Sequence, residues 1–274
     1  MRGTSRTSLV EVTRRLDENV LASVSTTGSG IALGQELFQV VGLITAEHSL
    51  RRWLADPANP AEAKSGLTGR LLETKVSPSA VLVVGDVVSA RWSSGRDLVD
   101  ALERMAVYAT VASLRSAAAL DRLEDELFRF ERIVSSQPRL RDALTREGVA
   151  PEHKTSLLEE LLSGKADPAT MVLVGEAVNR PRGRNLERAL ENYGRIVAER
   201  AKRYVAVVRS AVPLSEDQQS RLGAALTRAY GRDIHLNTEV APEIVGGLSI
   251  QVGDEVIDGT IAGRIAEAQR RLAG

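Results

Sequence analysis

Apolar residues recur at helical spacing along most of the chain, and the pattern changes to alternation near residue 204. Val107, Val111, Leu114 and Ala118 step by three and four, which predicts a helix over Met105–Leu120. Leu157, Leu158, Leu161 and Leu162 keep one face of another helix apolar, and a long helix is expected from Asn185 to about Arg203. Turn chemistry separates these segments. Ser23 to Gly30 is a small-residue loop, Asp56-Pro57 to Pro60 a break, and Ser77-Pro78 a helix start with proline in the first turn. Gly148 with Pro151, Asp167-Pro168, and Arg180-Pro181 to Gly183 divide the following stretch in the same way.

Beyond Tyr204 a different architecture is expected. Tyr204 to Val212 is short and valine-rich, as a mostly buried strand would be, and Pro213 ends it. Ser215 with Gln218 forms a capping box for a helix whose stripe is Leu222, Ala225, Leu226 and Ala229, with Gly231 as its stop. Ile234, Leu236, Thr238 and Val240 alternate with His235, Asn237 and Glu239, the period of a strand with one polar face. Leu248, Ile250 and Val252 alternate again up to Gly253-Asp254, a turn dipeptide, and Val256-Ile257 then complete a hairpin. Asp258 and Thr260 cap a last helix lined by Ile261, Ile265, Ala268 and Leu272.

The helical part is written twice. Shifted by ninety positions, Glu36-Leu37-Phe38 falls on Glu126-Leu127-Phe128, Leu50-Arg51 on Leu140-Arg141, and Val84-Gly85 on Val174-Gly175, with 16 identities over the 55 positions from 36 to 90. After a two-residue deletion, Arg96, Leu98 and Ala101-Leu102-Glu103 meet Arg184, Leu186 and Ala189-Leu190-Glu191. A period this long exceeds that of the short solenoid repeats, so each copy is expected to be a bundle of about six helices. The fold class is therefore mainly α: two tandem six-helix-type bundles over 1–104 and 105–203, then a small α/β domain over 204–274.

Composition removes several functions. Thirty-six basic residues balance thirty-six acidic ones, so no global field draws the chain to nucleic acid or an anionic membrane. The absence of cysteine excludes thiol nucleophiles, thiolate metal sites and disulfides, and suits a cytosolic setting. The N-terminus carries Arg2, Arg6, Arg14 and Arg15 without the apolar core of a signal peptide, and no run approaches a membrane span, so membrane association is expected only through a partner.

The stretch Gly246–Ala273 resembles the C-terminal signature of the delta subunit of F-type ATP synthase, the family of the oligomycin-sensitivity-conferring protein. Gly246, Gly247, Gly253, Asp254, Ile257, Asp258, Gly259, Thr260 and Arg264 carry the match. Ala211-Val212-Pro213-Leu214-Ser215 and Gln218 resemble the family's strand-to-helix entry, and residues 105–203 resemble its six-helix bundle. Residues 1–104 depart from the pattern as an extra bundle.

The resemblance implies a non-catalytic peripheral-stalk (stator) subunit without cofactor. Such a subunit links the catalytic alpha/beta head to the membrane sector and prevents co-rotation during ATP synthesis. Its implied partners are the N-terminal helices of alpha subunits and the C-terminal end of subunit b, with no nucleic acid and no direct membrane insertion. Its implied location is peripheral, on the cytoplasmic face of the bacterial cell membrane. By analogy, a groove for alpha tails lies between the first and fifth helices of the second copy, near Tyr108, Val111, Leu114, Val174 and Val178. The alternative is a helical-repeat interaction scaffold or nucleic-acid-binding module unrelated to ATP synthase.

Other features read as structural. Asp254, Glu255 and Asp258 sit at turn and cap positions, which outweighs an acid/base or metal role. His48, His153 and His235 lie in unrelated segments without a second ligand at metal spacing. Gly28, Gly30 and Gly34 follow no strand and miss the dinucleotide spacing. Arg180, Arg182 and Arg184 are expected in a solvated loop, with an acidic partner surface as second choice, and Trp53 and Trp92 as core anchors.

Overall fold

The computed structural model describes residues 3–21, 24, 29–114, 116–202, 205–230, 234–244, 246–252 and 255–261. The expected turn Gly253-Asp254, the stop at Gly231, the strand start at Tyr204, most of the Ser23–Gly30 loop and the final helix beyond Ile261 lie outside them. By their contacts, residues 1–114 with 123–197 form one compact unit and residues 115–122 with 198–274 a second.

The described helices follow the repeat closely. The first copy has α1 (Thr4–Leu16, continued by a π-helical turn Asp17–Leu21), α2 (Gly30–Ala46), α3 (His48–Ala55), α4 (Ala61–Leu72), α5 (Pro78–Ser89) and α6 (Gly95–Thr110). The second has α7 (Ala117–Ser136), α8 (Pro138–Thr145), α9 (Pro151–Leu162), α10 (Pro168–Asn179) and α11 (Leu186–Lys202). Both ends of α8, α9 and α10 lie ninety residues after those of α3, α4 and α5.

The duplicated identities have a physical basis. The Glu36 carboxylate accepts from the Ser77 amide (3.2 Å) and hydroxyl, satisfying free donors at the start of α5. Ninety residues on, Glu126 accepts from the Asp167 amide (2.9 Å) and the Thr170 hydroxyl at the start of α10. Leu37 and Leu127 are both buried beside these acids. Proline occupies the first turn of α5 and of α10, where Ser77 and Asp167 cap the helices through the amides of Ala80 and Ala169.

The expected helix over Met105–Leu120 is corrected. α6 ends at Thr110, a turn spans 111–113, and α7 begins only at Ala117. The apolar stripe was real but it runs across two elements, because residues 101–112 form a largely buried segment whose C-terminal end must turn. α6 matches α11 in sequence and also lies about ninety residues after α1, so it closes the first copy and opens the second. It passes through residues 104 and 105, where the sequence reading divides the copies.

α2 and α6 pack most extensively of the helix pairs outside sequence neighbours, and α10 packs on both. The contact is close because Gly34 faces Thr110: a Cβ at Gly34 would sit 2.0 Å from the Thr110 hydroxyl and 2.9 Å from its amide nitrogen. Leu98, Ala101, Leu102, Met105, Ala106, Val107 and Ala109 of α6 have no exposed surface, so this helix is wrapped on most sides.

The second unit contains a four-stranded sheet in the order β2-β1-β3-β4, built from β1 (Val205–Ser210), β2 (His235–Val240), β3 (Leu248–Val252) and β4 (Glu255–Asp258). β1 and β2 are parallel, joined through α12 (Glu216–Tyr230), and the other pairs are antiparallel. Val252 pairs with Glu255, which sets the expected hairpin register. Ala206, Val208, Leu226, Ile234, Ile250 and Val252 form the core. The capping box is reciprocal: the Ser215 amide donates to the Gln218 side chain (2.9 Å) and the Gln218 amide to the Ser215 hydroxyl (3.3 Å). The apolar face expected for β2 is only partly covered, since Val240 is 53% exposed on this edge strand.

Candidate functional site

The signature residues that lie within the described part build one tight crossing at the sheet. Gly247 has φ 86° and its amide region lies against the 259–260 backbone, so a Cβ there would meet the Gly259 carbonyl oxygen at 2.4 Å. The Gly259 amide donates to the Leu248 carbonyl (2.9 Å) and the Ile261 amide to the Gly246 carbonyl (3.0 Å). Asp258 accepts from the Thr260 hydroxyl (2.7 Å) and amide (2.9 Å), and these two bonds hold its carboxyl below the usual range. Ile257 is exposed on β4. Gly253, Asp254 and Arg264 lie outside the described residues. The glycine pair and the Asp-Gly-Thr run are thus two halves of one backbone contact, and Glu255 accepts from the Tyr230 hydroxyl (2.8 Å).

The five groove residues come from α6, its following turn and α10, and α10 does pack against α6. Tyr108, Val111, Val174 and Val178 are buried and Leu114 half-buried, so an incoming helix reaches the first four only by opening the bundle. The corresponding first and fifth helices of the first copy, α1 and α5, frame an open cleft of about 470 Å3 that includes Thr7, Glu11, Val12, Asp86 and Ser89.

Of the arginines of the 180–184 turn, Arg180 is exposed as expected of a solvated loop and the other two are not. Arg182 and Arg184 fold inward onto the first copy. Glu103, 1% exposed, accepts from Arg182, from both bonds of Arg184 Nη1 (2.8 and 2.9 Å) and from the Tyr193 hydroxyl (3.2 Å). Arg182 also pairs with Glu176, Arg184 with Asp100 (3.0 Å), and Arg180 with Glu176 (3.3 Å). The Arg182 guanidinium lies 5.7 Å from the centre of the Phe38 ring, whose centroid is 6.0 Å from that of Tyr193.

Burial governs the electrostatics of this network. It raises the carboxyls of Glu176 and Asp100, against the pull of Arg182 and Arg184 respectively. The Tyr193 phenol is pushed well above its ordinary value by burial and by the Glu103 charge. Burial alone would lower Arg182, but Tyr193, Glu103 and Glu176 outweigh it and the guanidinium is held charged more firmly than usual. Arg182 sits at φ 51°, followed by Gly183 at φ 72°. A left-handed arginine costs about 1–3 kcal/mol and persists only where the surrounding contacts fix it. Sequence reasoning missed Glu103 as the hub. Its repeat identity with Glu191 was visible, but not the partners seventy-nine or more residues away.

Trp92 is buried and its indole donates to the Val87 carbonyl (2.7 Å), whereas Trp53 is half-buried. His48 lies 2.8 Å from an Arg51 nitrogen and His153 is exposed. Among the described residues, no group of three or more His, Asp or Glu side chains is placed to hold a metal, and no helix is long and apolar enough to cross a membrane.

A family model, ATP synthase delta (OSCP) subunit, matches residues 105–272. The whole chain is 66% identical to ATP synthase subunit delta of Thermobifida fusca over 274 residues, covering 100% of both. The chain belongs to the ATP synthase delta (OSCP) subunit family. ATP synthase subunit delta of Streptomyces coelicolor is 49% identical over 273 residues, covering 100% of this chain and 98% of that protein. The segment before residue 105 is therefore shared with these family members, although the family model starts after it. A chain of the Toxoplasma gondii mitochondrial ATP synthase hexamer is 23% identical, covering 58% of this chain and 95% of that one, at a TM-score of 0.29.

Proposed function

We propose that the chain is the peripheral-stalk subunit of a proton-transporting F-type ATP synthase, holding the catalytic head against the torque of the rotor. The observation that carries this reading is identity over the full length with proteins named ATP synthase subunit delta. The chain acts as a structural subunit and not as a catalyst. A holder under torque needs stiffness, and the helical unit supports that: α6 is common to both copies, and Glu103, Arg182 and Arg184 tie the copies through buried, charge-assisted bonds.

The partners in this reading are N-terminal helices of alpha subunits and the C-terminal end of subunit b, at the cytoplasmic face of the membrane. Amphipathic helices laid into grooves bury apolar area in a fixed register, and several contacts on one scaffold raise the effective concentration of each. The α6/α10 face receives an alpha tail only if the bundle yields around Tyr108, Val111, Val174 and Val178, with Leu114 at its margin. The α1/α5 cleft is already open at the surface, which supports it as a second place for a tail. The division of labour follows the sequence reading, with 1–104 adding contact area, 105–203 the family bundle and 204–274 the stalk end.

Purification of the tagged chain from its own cells is expected to bring head and stalk subunits with it, and membranes from cells lacking it are expected to lose proton-driven ATP formation. Intact coupled synthesis in such membranes would overturn the reading.

A further inference from the structure

The side of the helical unit formed by α3, the start of α6 and the 182–184 turn holds a cleft of about 870 Å3 with an excess of guanidinium groups. Arg51, Arg52, Arg96, Arg182 and Arg184 line it together with His48, and the carboxylates on its wall are Asp56 and Asp100. Arg182 and Arg184 are already neutralised by Glu103, Glu176 and Asp100. Asp56 accepts from the Ala58 amide (2.9 Å). Arg51 donates to the Thr45 carbonyl (2.6 Å) and touches His48. Among the described residues, Arg51, Arg52 and Arg96 have no carboxylate within ion-pairing distance.

The repeat supplies an internal comparison. At the positions of Arg51, Arg52 and Arg96 the second copy has Arg141, Asp142 and Arg184, and each is paired: Arg141 with Glu187 (3.7 Å), Asp142 with Arg146, and Arg184 with Asp100. In the first copy Val99 stands where Glu187 pairs with Arg141, and Asp56 stands where Arg146 pairs with Asp142 but forms no ion pair with Arg52. Arg96 acts on Asp100 without an ion pair, and the three cations line one concavity. Its volume lies within the roughly 300–1,000 Å3 of small-ligand sites. Guanidinium forks suit phosphoryl oxygens, and a compact polyanion reaches cations of two helices, Arg51 and Arg52 on α3 and Arg96 on α6, at once.

We propose that this cleft binds a compact polyvalent phosphoryl anion, held by Arg51, Arg52 and Arg96. The probe is sodium tripolyphosphate, titrated calorimetrically into the full-length chain at low and at moderate salt. One site per chain is expected, weakening as salt rises. Arg52→Ala with Arg96→Ala is expected to lower the affinity at least tenfold while leaving the melting temperature of the free protein unchanged, since both side chains are exposed. A control pair on the second copy, Arg139→Ala with Arg146→Ala, is expected to bind as the parent does. Absence of saturable binding, equal binding by the cleft variant, or an equal loss in the control pair would each overturn the proposal.

Discussion

Phe38 and Phe128 occupy the same position of the repeat, yet Phe38 is 1% exposed and Phe128 62%. The difference is made by the neighbouring copy. Phe38 on α2 is covered by Tyr193 and by the Arg182 guanidinium, both contributed by the second copy. Its counterpart on α7 has no third copy to cover it. Substitution should separate the two sharply: Phe38→Ala is expected to cost about 3–5 kcal/mol and Phe128→Ala less than about 0.5 kcal/mol, as urea unfolding of the full chain would measure.

Removal of Glu103 takes one counter-charge from each of two cations. Glu103→Ala leaves Arg182, whose side chain is 8% exposed, with Glu176 but without the second of its two counter-charges. A loss of about 3–5 kcal/mol is expected, on the order of 10 °C in a melt of a unit this size. Adding Arg182→Met should restore part of it, because the buried charge that has lost one of its partners then disappears. A double variant no more stable than the single one would show that the pair matters by packing alone.

Alkali should act through Tyr193. Its phenol is raised in the folded state above the ordinary value of 10.0, so the fold binds that proton more tightly than the unfolded chain. The corresponding stability is complete below pH 10 and is lost as pH rises above it. Tyr193→Phe loses the bond to Glu103 and is expected to be less stable at pH 7, but it has no phenol to titrate. The gap between parent and variant in urea midpoint should therefore narrow from pH 9 to pH 11, and a constant gap would contradict this.

Gly247→Ala tests the crossing at the sheet. The new methyl would meet the Gly259 carbonyl at 2.4 Å from a left-handed backbone. A cost of about 1–3 kcal/mol confined to the second unit is expected, seen as faster proteolysis between β2 and β3 with the helical unit still resistant.

Some of this molecule was legible because its determinants are local. The stops at Asp167-Pro168 and Ser77-Pro78, the capping box at Ser215 and the two-residue period of β3 act within a few residues, and each element lies where those signals place it. The ninety-residue repeat carried the helix boundaries from one copy to the next, since equal sequence faces equal local physics. The signature from Gly246 to Thr260 was readable as a pattern, although its reason, a backbone approach too close for a Cβ at Gly247, was not.

Tertiary structure decided where the repeat stops being symmetric. The stripe from Val107 to Ala118 reads as one helix, but the chain turns after Thr110. Arg182 and Arg184 read as a solvated loop, but Glu103 draws them inward. Phe38 and Phe128 are identical letters with opposite exposure. Local propensity and periodicity depend on neighbours along the chain and are written in it. Burial and the pairing of buried charges depend on neighbours in space, and those exist only once one copy has packed against the other.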